Sequence, residues 1–217
     1  MLKRIVENHQ DENFSGMENA RKYAKEAEKS SKMRFRGFLN KLAILNIKGE
    51  YLEVGAGSGT LAAMIAKDNT KINITAIEMS PDMITVGNEH IKKKKLESQV
   101  GFINGNIEDD KLLDKLGKFD LVYSTFSLHH WENPEKAIKN LMEYVKEDGV
   151  LVIYDLKRVW WLYWIPSQNG FFKSIRASYK PYEIKKMLSN LGVKKYEIKN
   201  LFPYFMQNVT IWNMKDK

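Results

Sequence analysis

The 217-residue chain contains no cysteine, which removes disulfides, iron–sulfur clusters, thiolate zinc sites and every mechanism built on a cysteine nucleophile. Long apolar runs are missing as well. The greasiest patch, residues 159–165, is far shorter than the roughly 20 residues needed to span a bilayer. The polar first thirty residues hold nothing suited to a signal peptide. A soluble, cytoplasmic protein without a membrane span is therefore expected. Histidine is scarce: beside the neighbours His129 and His130 there are only His9 and His90, and their spacing makes no sound metal site. Repeats, low-complexity tracts and linkers are lacking too. With 43% hydrophobic and 12% aromatic residues, the chain reads as one domain with a sizeable core.

The net charge of +8 is unevenly spread: eleven basic and six acidic residues over 1–49, twelve and eighteen over 50–156, twelve and three over 157–217. An anionic partner approaching the basic flanks is one reading; solvated lysine-rich faces are the other.

From Gly49 onward short apolar runs alternate with helical patterns. Strands are expected at 50–54, 72–77, 99–103, 119–124 and 149–155, with helices near 59–67, 81–93, 109–115 and 134–146. That alternation implies βαβ units and a parallel sheet covered by helices on both faces. Ser80-Pro81 and Asn133-Pro134 read as N-cap and first helical residue of two of these helices. Gly149 reads as the residue just past a helix end. Residues 16–46 read as one or two helices, 156–178 as irregular and aromatic, and 180–191 as a helix. "KKYEIKNL" and "FMQNVTIWN" read as two further strands.

The first strand-to-helix turn of an open parallel sheet is a preferred ligand site. Here it holds Gly55, Gly57 and Gly59, which permit a tight turn and close approach of backbone N–H groups to a ligand. Glu78 ends the second strand nineteen positions after Gly59, where a nucleoside-binding fold places a carboxylate on the ribose hydroxyls. The spacing is G-x-G-x-G rather than G-x-G-x-x-G, with Glu53 two residues before the first glycine. A pyrophosphate gains nothing from that carboxylate, which speaks against a nicotinamide oxidoreductase, whereas a cationic amino end would be attracted. The other role open to Glu53 is to satisfy backbone donors in the loop.

"LEVGAGSGTL", "AIEMSPDM", "INGNIEDD" and "FDLVYSTFSLHHWENPEKAIKNLMEYVKEDGVLVIYD" together resemble the successive motifs of class I S-adenosylmethionine-dependent methyltransferases, especially the small-molecule branch. The resemblance covers about residues 17–155. It implies a three-layer Rossmann-like α/β sandwich whose mostly parallel seven-stranded sheet ends in an antiparallel strand. It further implies a helical cap over 1–48, an aromatic substrate-side insertion over 156–180, and S-adenosylmethionine as cofactor. Carried over, Gly55, Ala56, Gly57 and Gly59 would line the cofactor, with Glu53 near its amino-acid end. Glu78 would bind the ribose, and Met79, with Met83 near it, would lie toward the adenine. Asn106 stands where the family usually has an aspartate, leaving open whether Asn106 or Glu108 meets the adenine amino group, with Ile107 against the ring. Ser124 would sit near the sulfonium. Tyr23 would belong to a leading helix folded over the cofactor, or simply to helix packing.

Methyl transfer needs alignment and, where the acceptor loses a proton, a base. His129 and His130 are the candidates; lining the loop is their other role. The segment 159–181, with Trp160, Trp161, Tyr163, Trp164, Phe171, Phe172, Lys173 and Arg176, reads as a substrate lid for a flat or anionic acceptor, a dimer contact, core packing or a membrane-surface patch. The expected partner is a small-molecule methyl acceptor, with the protein a monomer or homodimer. RNA methylation and non-catalytic cofactor binding are the competing functions.

Overall fold

The computed structural model describes residues 3–5, 16–110, 112, 116–163, 165 and 170–214, Tyr163 by its backbone alone. His9 and Trp164 therefore lie outside the described residues, as does most of the helix expected near 109–115, of which Asp110 and Leu112 stand in a 3-10 turn.

Seven strands form one sheet: β1 Gly49–Val54, β2 Ile72–Glu78, β3 Val100–Asn104, β4 Phe119–Thr125, β5 Val145–Leu156, β6 Tyr196–Leu201 and β7 Met206–Trp212. Their order is β3-β2-β1-β4-β5-β7-β6. The first five pair in parallel, and β7 runs antiparallel to both β5 and β6. Side chains alternate across the strands, and that period of two divides the core. On one face Tyr51, Ile74, Leu121, Tyr123, Val152 and Tyr154 pack with α2 (Arg36–Leu45), α3 (Thr60–Asp68) and α4 (Pro81–Lys94) through Phe38, Leu61, Ile65 and Ile91. On the other, Leu52, Val54, Ile77, Val122, Leu151, Ile153 and Val209 meet α5 (Pro134–Glu143) and α8 (Pro181–Asn190) through Ile138, Leu141, Ile184 and Leu188. Each fully buried aliphatic side chain contributes about 1.5–3 kcal/mol. The layered core therefore holds the strand ends, and whatever they carry, in fixed relation.

The capping signals act as read. Ser80 Oγ accepts the Met83 N–H and Asn133 Oδ1 the Lys136 N–H, with proline opening each helix. Two expectations are corrected. Gly149 lies inside β5 rather than past α5, because α5 already stops at Glu143 and the chain enters the strand at Val145. It occupies an irregularity in the β4–β5 pairing, where an added Cβ would stand 2.8 Å from Val145 and 3.1 Å from the Asp120 carbonyl. Residues 156–178 are not irregular throughout: they contain α6 (Trp160–Tyr163) and α7 (Gly170–Ala177), whose Leu162 and Ile175 join the core. A dense run of aromatics hid that inward-facing periodicity.

The leading helix α1 (Met17–Arg34) is mostly polar, burying only Ala20, Ala27 and Ser31. It lies on α4 through a small cluster of Ala20, Met83 and Val86 with Met17, Tyr23 and Ala24. Two exposed ion pairs reinforce it: Arg21 forks onto Glu89 at 2.7 and 2.8 Å, and Lys94 reaches Glu28 at 3.0 Å. Such pairs contribute about 0–1 kcal/mol each, so α1 is anchored far more weakly than the sheet it covers.

Candidate active site

β1 ends at Val54, and the chain turns through Gly55, Gly57 and Gly59, all left-handed (φ 74, 55 and 66), before α3 starts at Thr60. The turn is tight as well as left-handed: a Cβ at Gly55 would stand 2.3 Å from Ser127 Oγ, and at Gly59 2.7 Å from the Phe102 ring. Gly55 and Ala56 donate their N–H groups to the Ile77 carbonyl, which ties the turn to the end of β2. There the Glu78 carboxylate accepts the Gly57 N–H at 2.8 Å, and the Met79 and Ser80 N–H groups at 2.9 Å each. The acid expected on a ribose is thus aimed into the glycine turn.

Beside it a cavity of about 70 Å³ lies beneath α1. Tyr23, Glu53, Gly55, Ala56 and Gly57 line it, and so do Arg34, Phe35, Thr125, Phe126 and Ser127. Glu53 is buried, and the Tyr123 hydroxyl donates to it at 3.1 Å. Burial, reinforced by the charge of Glu78, pushes its carboxyl up to about 8 against the opposing pull of the Tyr123 and Ala62 hydrogen bonds. A cation placed beside this carboxyl would favour its ionised form. Across the cavity Arg34 brings the opposite charge, its guanidinium 3.5 Å from the Tyr23 hydroxyl and 4.5 Å from the Phe126 ring centroid. Phe126 itself is left-handed (φ 57), a costly conformation for an aromatic residue. It is held by its N–H bond to the Tyr154 carbonyl and by edge contacts with Phe35 and Tyr154.

The Glu53 proton has a consequence for stability. The folded protein holds it to about pH 8, whereas an exposed glutamate releases it near 4.5. Between those values the folded state binds more protons at Glu53, so the contribution of this group to stability is fully present below 4.5 and is lost as pH rises through about 8. Glu53→Gln, which has no proton to lose, is expected to flatten that decline. Thermal unfolding followed across the window checks it; an unchanged slope would show that Glu53 does not titrate there.

The other residues singled out from sequence separate into groups. Met79 is exposed beside Glu78, on the open side of the turn. Met83 is buried in the α1–α4 contact instead. Asn106 Oδ1 accepts the Glu108 N–H at 2.9 Å, and Glu108 in turn accepts the Asn133 N–H, so both candidates for the adenine contact also brace the loop after β3. Ile107 is buried in the core cluster with Val54 and Ile77. Ser124 is fully buried and donates to the Val54 carbonyl at 2.8 Å, bridging β4 to the end of β1.

A 3-10 turn, Leu128–His130, follows β4. His129 is buried there, its Nδ1 2.7 Å from Asp155 Oδ1, and its backbone N–H donates to Asp155 Oδ2 at 3.1 Å. Asp155 also accepts the Leu156 N–H. A neutral ring that donates from Nδ1 to this carboxylate would leave Nε2 as its accepting nitrogen. His130 lies against His129 with ring centroids 4.0 Å apart and planes tilted by 43°. Arg4 closes the far side, donating to the His129 and Ala177 carbonyls with its guanidinium 4.2 Å from the centre of the Tyr179 ring. Sequence reasoning missed Asp155, Arg34 and Phe126. Asp155 had a signal, a carboxylate at the last position of an expected strand, level with the strand that leads to the histidines.

Among the described residues no helix is long and apolar enough to cross a membrane. A family model described as "Methyltransferase domain" matches residues 52–151. The chain is 26% identical over 181 residues to a ubiquinone biosynthesis O-methyltransferase of Rickettsia canadensis, covering 78% of this chain and 72% of that protein. It is 37% identical over 119 residues to an uncharacterized methyltransferase of Staphylococcus carnosus, covering 54% of this chain but only 51% of that one. A crystal structure of a SAM dependent methyltransferase from Aquifex aeolicus superposes with a TM-score of 0.70 at 20% identity, covering 89% of this chain and 97% of that one. The structural likeness carries the fold, and the family model runs from β1 into β5 with the turns between them. Over residues 52–151 the chain is thus similar to a methyltransferase domain, and its sequence relatives are methyltransferases.

Proposed function

We propose that this protein transfers the methyl group of S-adenosylmethionine to a hydroxyl oxygen of a small molecule. The observation that carries the choice of oxygen is the buried His129–Asp155 pair at the carboxyl ends of β4 and β5. A hydroxyl must lose its proton as the new bond forms, and an imidazole oriented by a carboxylate is suited to take it. The O-methyltransferase name of the Rickettsia relative agrees with this reading.

The cofactor supplies an electrophilic methyl group on a sulfonium. The chain's own residues supply the rest. Glu53 and Arg34, facing one small cavity, offer a negative and a positive group to an amino acid's ammonium and carboxylate. Glu78 receives the ribose hydroxyls, while Met79, Asn106 and Ile107 stand toward the adenine. Tyr23 on the weakly anchored α1 closes the cavity and excludes water. His129 accepts the acceptor's proton at Nε2, and Asp155 fixes the tautomer that makes this possible. Residues 1–217 act as one catalytic domain, with 1–48 as its cap and 156–180 on the acceptor side. The protein works in the cytoplasm as a monomer or homodimer.

The test is transfer of labelled methyl from S-adenosylmethionine to a panel of phenols, carboxylic acids, aliphatic amines and total RNA. Methyl ethers or esters are the expected products. Transfer confined to amines or to RNA would overturn the reading.

A further inference from the structure

Six large apolar side chains stand exposed in one region: Trp160 and Trp161 on α6, Ile165 after it, Phe171 on α7, and Phe202 and Tyr204 between β6 and β7. Trp160, Phe202 and Tyr204 are 69%, 84% and 68% exposed. These segments form one surface. Phe171 meets Phe205 with ring centroids 5.4 Å apart, Phe202 meets Tyr204 at 6.0 Å, and the Lys157 N–H donates to the Phe205 carbonyl at 2.7 Å. Topology places the surface: β7 opens at Met206 opposite Leu156, at the carboxyl end of β5. The aromatic rim therefore stands on the same edge of the sheet as the His129–Asp155 pair, displaced toward β6.

Nothing in the core demands this exposure. Leu162 and Ile175 already fill the inward face of the two short helices. The charge around the rim is mostly of one sign. Residues 157–182 and 198–214 contain no aspartate or glutamate, yet they supply Lys157, Lys173, Arg176 and Lys180; Lys199 is neutralised by its ion pair with Glu197 at 2.9 Å. Tryptophan, tyrosine and phenylalanine at the tips, with lysine and arginine around them, is the composition that settles at the headgroup level of a bilayer carrying anionic lipid. Single-stranded RNA also uses aromatics and cations, but as a groove in which successive bases stack. Here the rings project from three separate elements at the edge.

We propose that this rim is a docking surface for an anionic lipid bilayer, holding the protein peripherally with the acceptor side of the sheet turned to the membrane. Docking is independent of methyl transfer; that an apolar acceptor would then reach the site from the bilayer rests on the function proposed above.

The full chain is mixed with vesicles of phosphatidylcholine alone and of equimolar phosphatidylcholine and phosphatidylglycerol, and co-sedimentation and tryptophan emission are recorded. Binding to the anionic vesicles, with a blue shift and weakening as salt rises, is expected. Trp160→Ser with Phe202→Ser should lower that binding at least tenfold while S-adenosylmethionine affinity, measured in parallel, stays unchanged. Lys157→Gln with Lys173→Gln should lower it severalfold. Three results would overturn the proposal: no binding to either vesicle, binding to single-stranded RNA in place of vesicles, or a concentration-dependent dimer that the Trp160 and Phe202 substitutions dissociate.

Discussion

Glu78→Ala is expected to weaken S-adenosylmethionine and S-adenosylhomocysteine binding at least a hundredfold. A hydrogen bond to a charged group contributes about 1.5–3 kcal/mol, two ribose hydroxyls are on offer, and about 1.4 kcal/mol corresponds to tenfold in affinity. The loss is not confined to the ligand. Glu78 accepts three backbone N–H groups, from Gly57, Met79 and Ser80, so its removal leaves the glycine turn without the acceptor that shapes it. Glu78→Gln keeps an oxygen for part of that set and should lose less, about tenfold. Titration calorimetry with both nucleosides separates the cases. Equal affinity in wild type and Glu78→Ala would remove Glu78 from the cofactor site, while an alanine variant no worse than the glutamine one would show that the carboxylate's bonds to the turn count for little.

The glycine turn and its bond to Glu78 were legible because their signals are local. Three glycines within five residues, a strand before them and an acid at the end of the next strand are all encoded within thirty residues, and the left-handed turn bonded to Glu78 follows from them. The strands were legible too, since a sheet buried on both faces needs apolar runs of the right length, and Ser80-Pro81 and Asn133-Pro134 punctuate them. What escaped was set by contacts distant in sequence. Met83 packs with Ala20 in the cluster under α1, a contact that joins two helices far apart in the chain. Arg34 reaches the cavity only because α1 lies back across α4, and no pattern near residue 34 announces that. Asp155 meets His129 across twenty-six positions, a pairing produced by the register of β4 against β5. The two short helices after β5 went unread because their few inward residues are diluted by aromatics that face outward.

The same distant pairing yields the second large effect. His129→Gln is expected to lower kcat roughly a hundred- to ten-thousandfold, the usual contribution of a positioned base, with S-adenosylmethionine affinity little changed. Asp155→Asn should follow it part of the way, because an amide no longer favours the tautomer that leaves Nε2 able to accept a proton. Both side chains are buried, so a role in anchoring the turn after β4 would also lower activity, and the size of the loss alone does not separate the two. Acceptor acidity does. A base matters in proportion to how much proton must be moved, so the His129→Gln defect should shrink steadily across a series of increasingly acidic phenols and nearly vanish for one already ionised in solution. Raising the pH should likewise restore the variant on a weakly acidic phenol. A misplaced turn would slow every acceptor alike at every pH, and that flat response would return His129 to the scaffold.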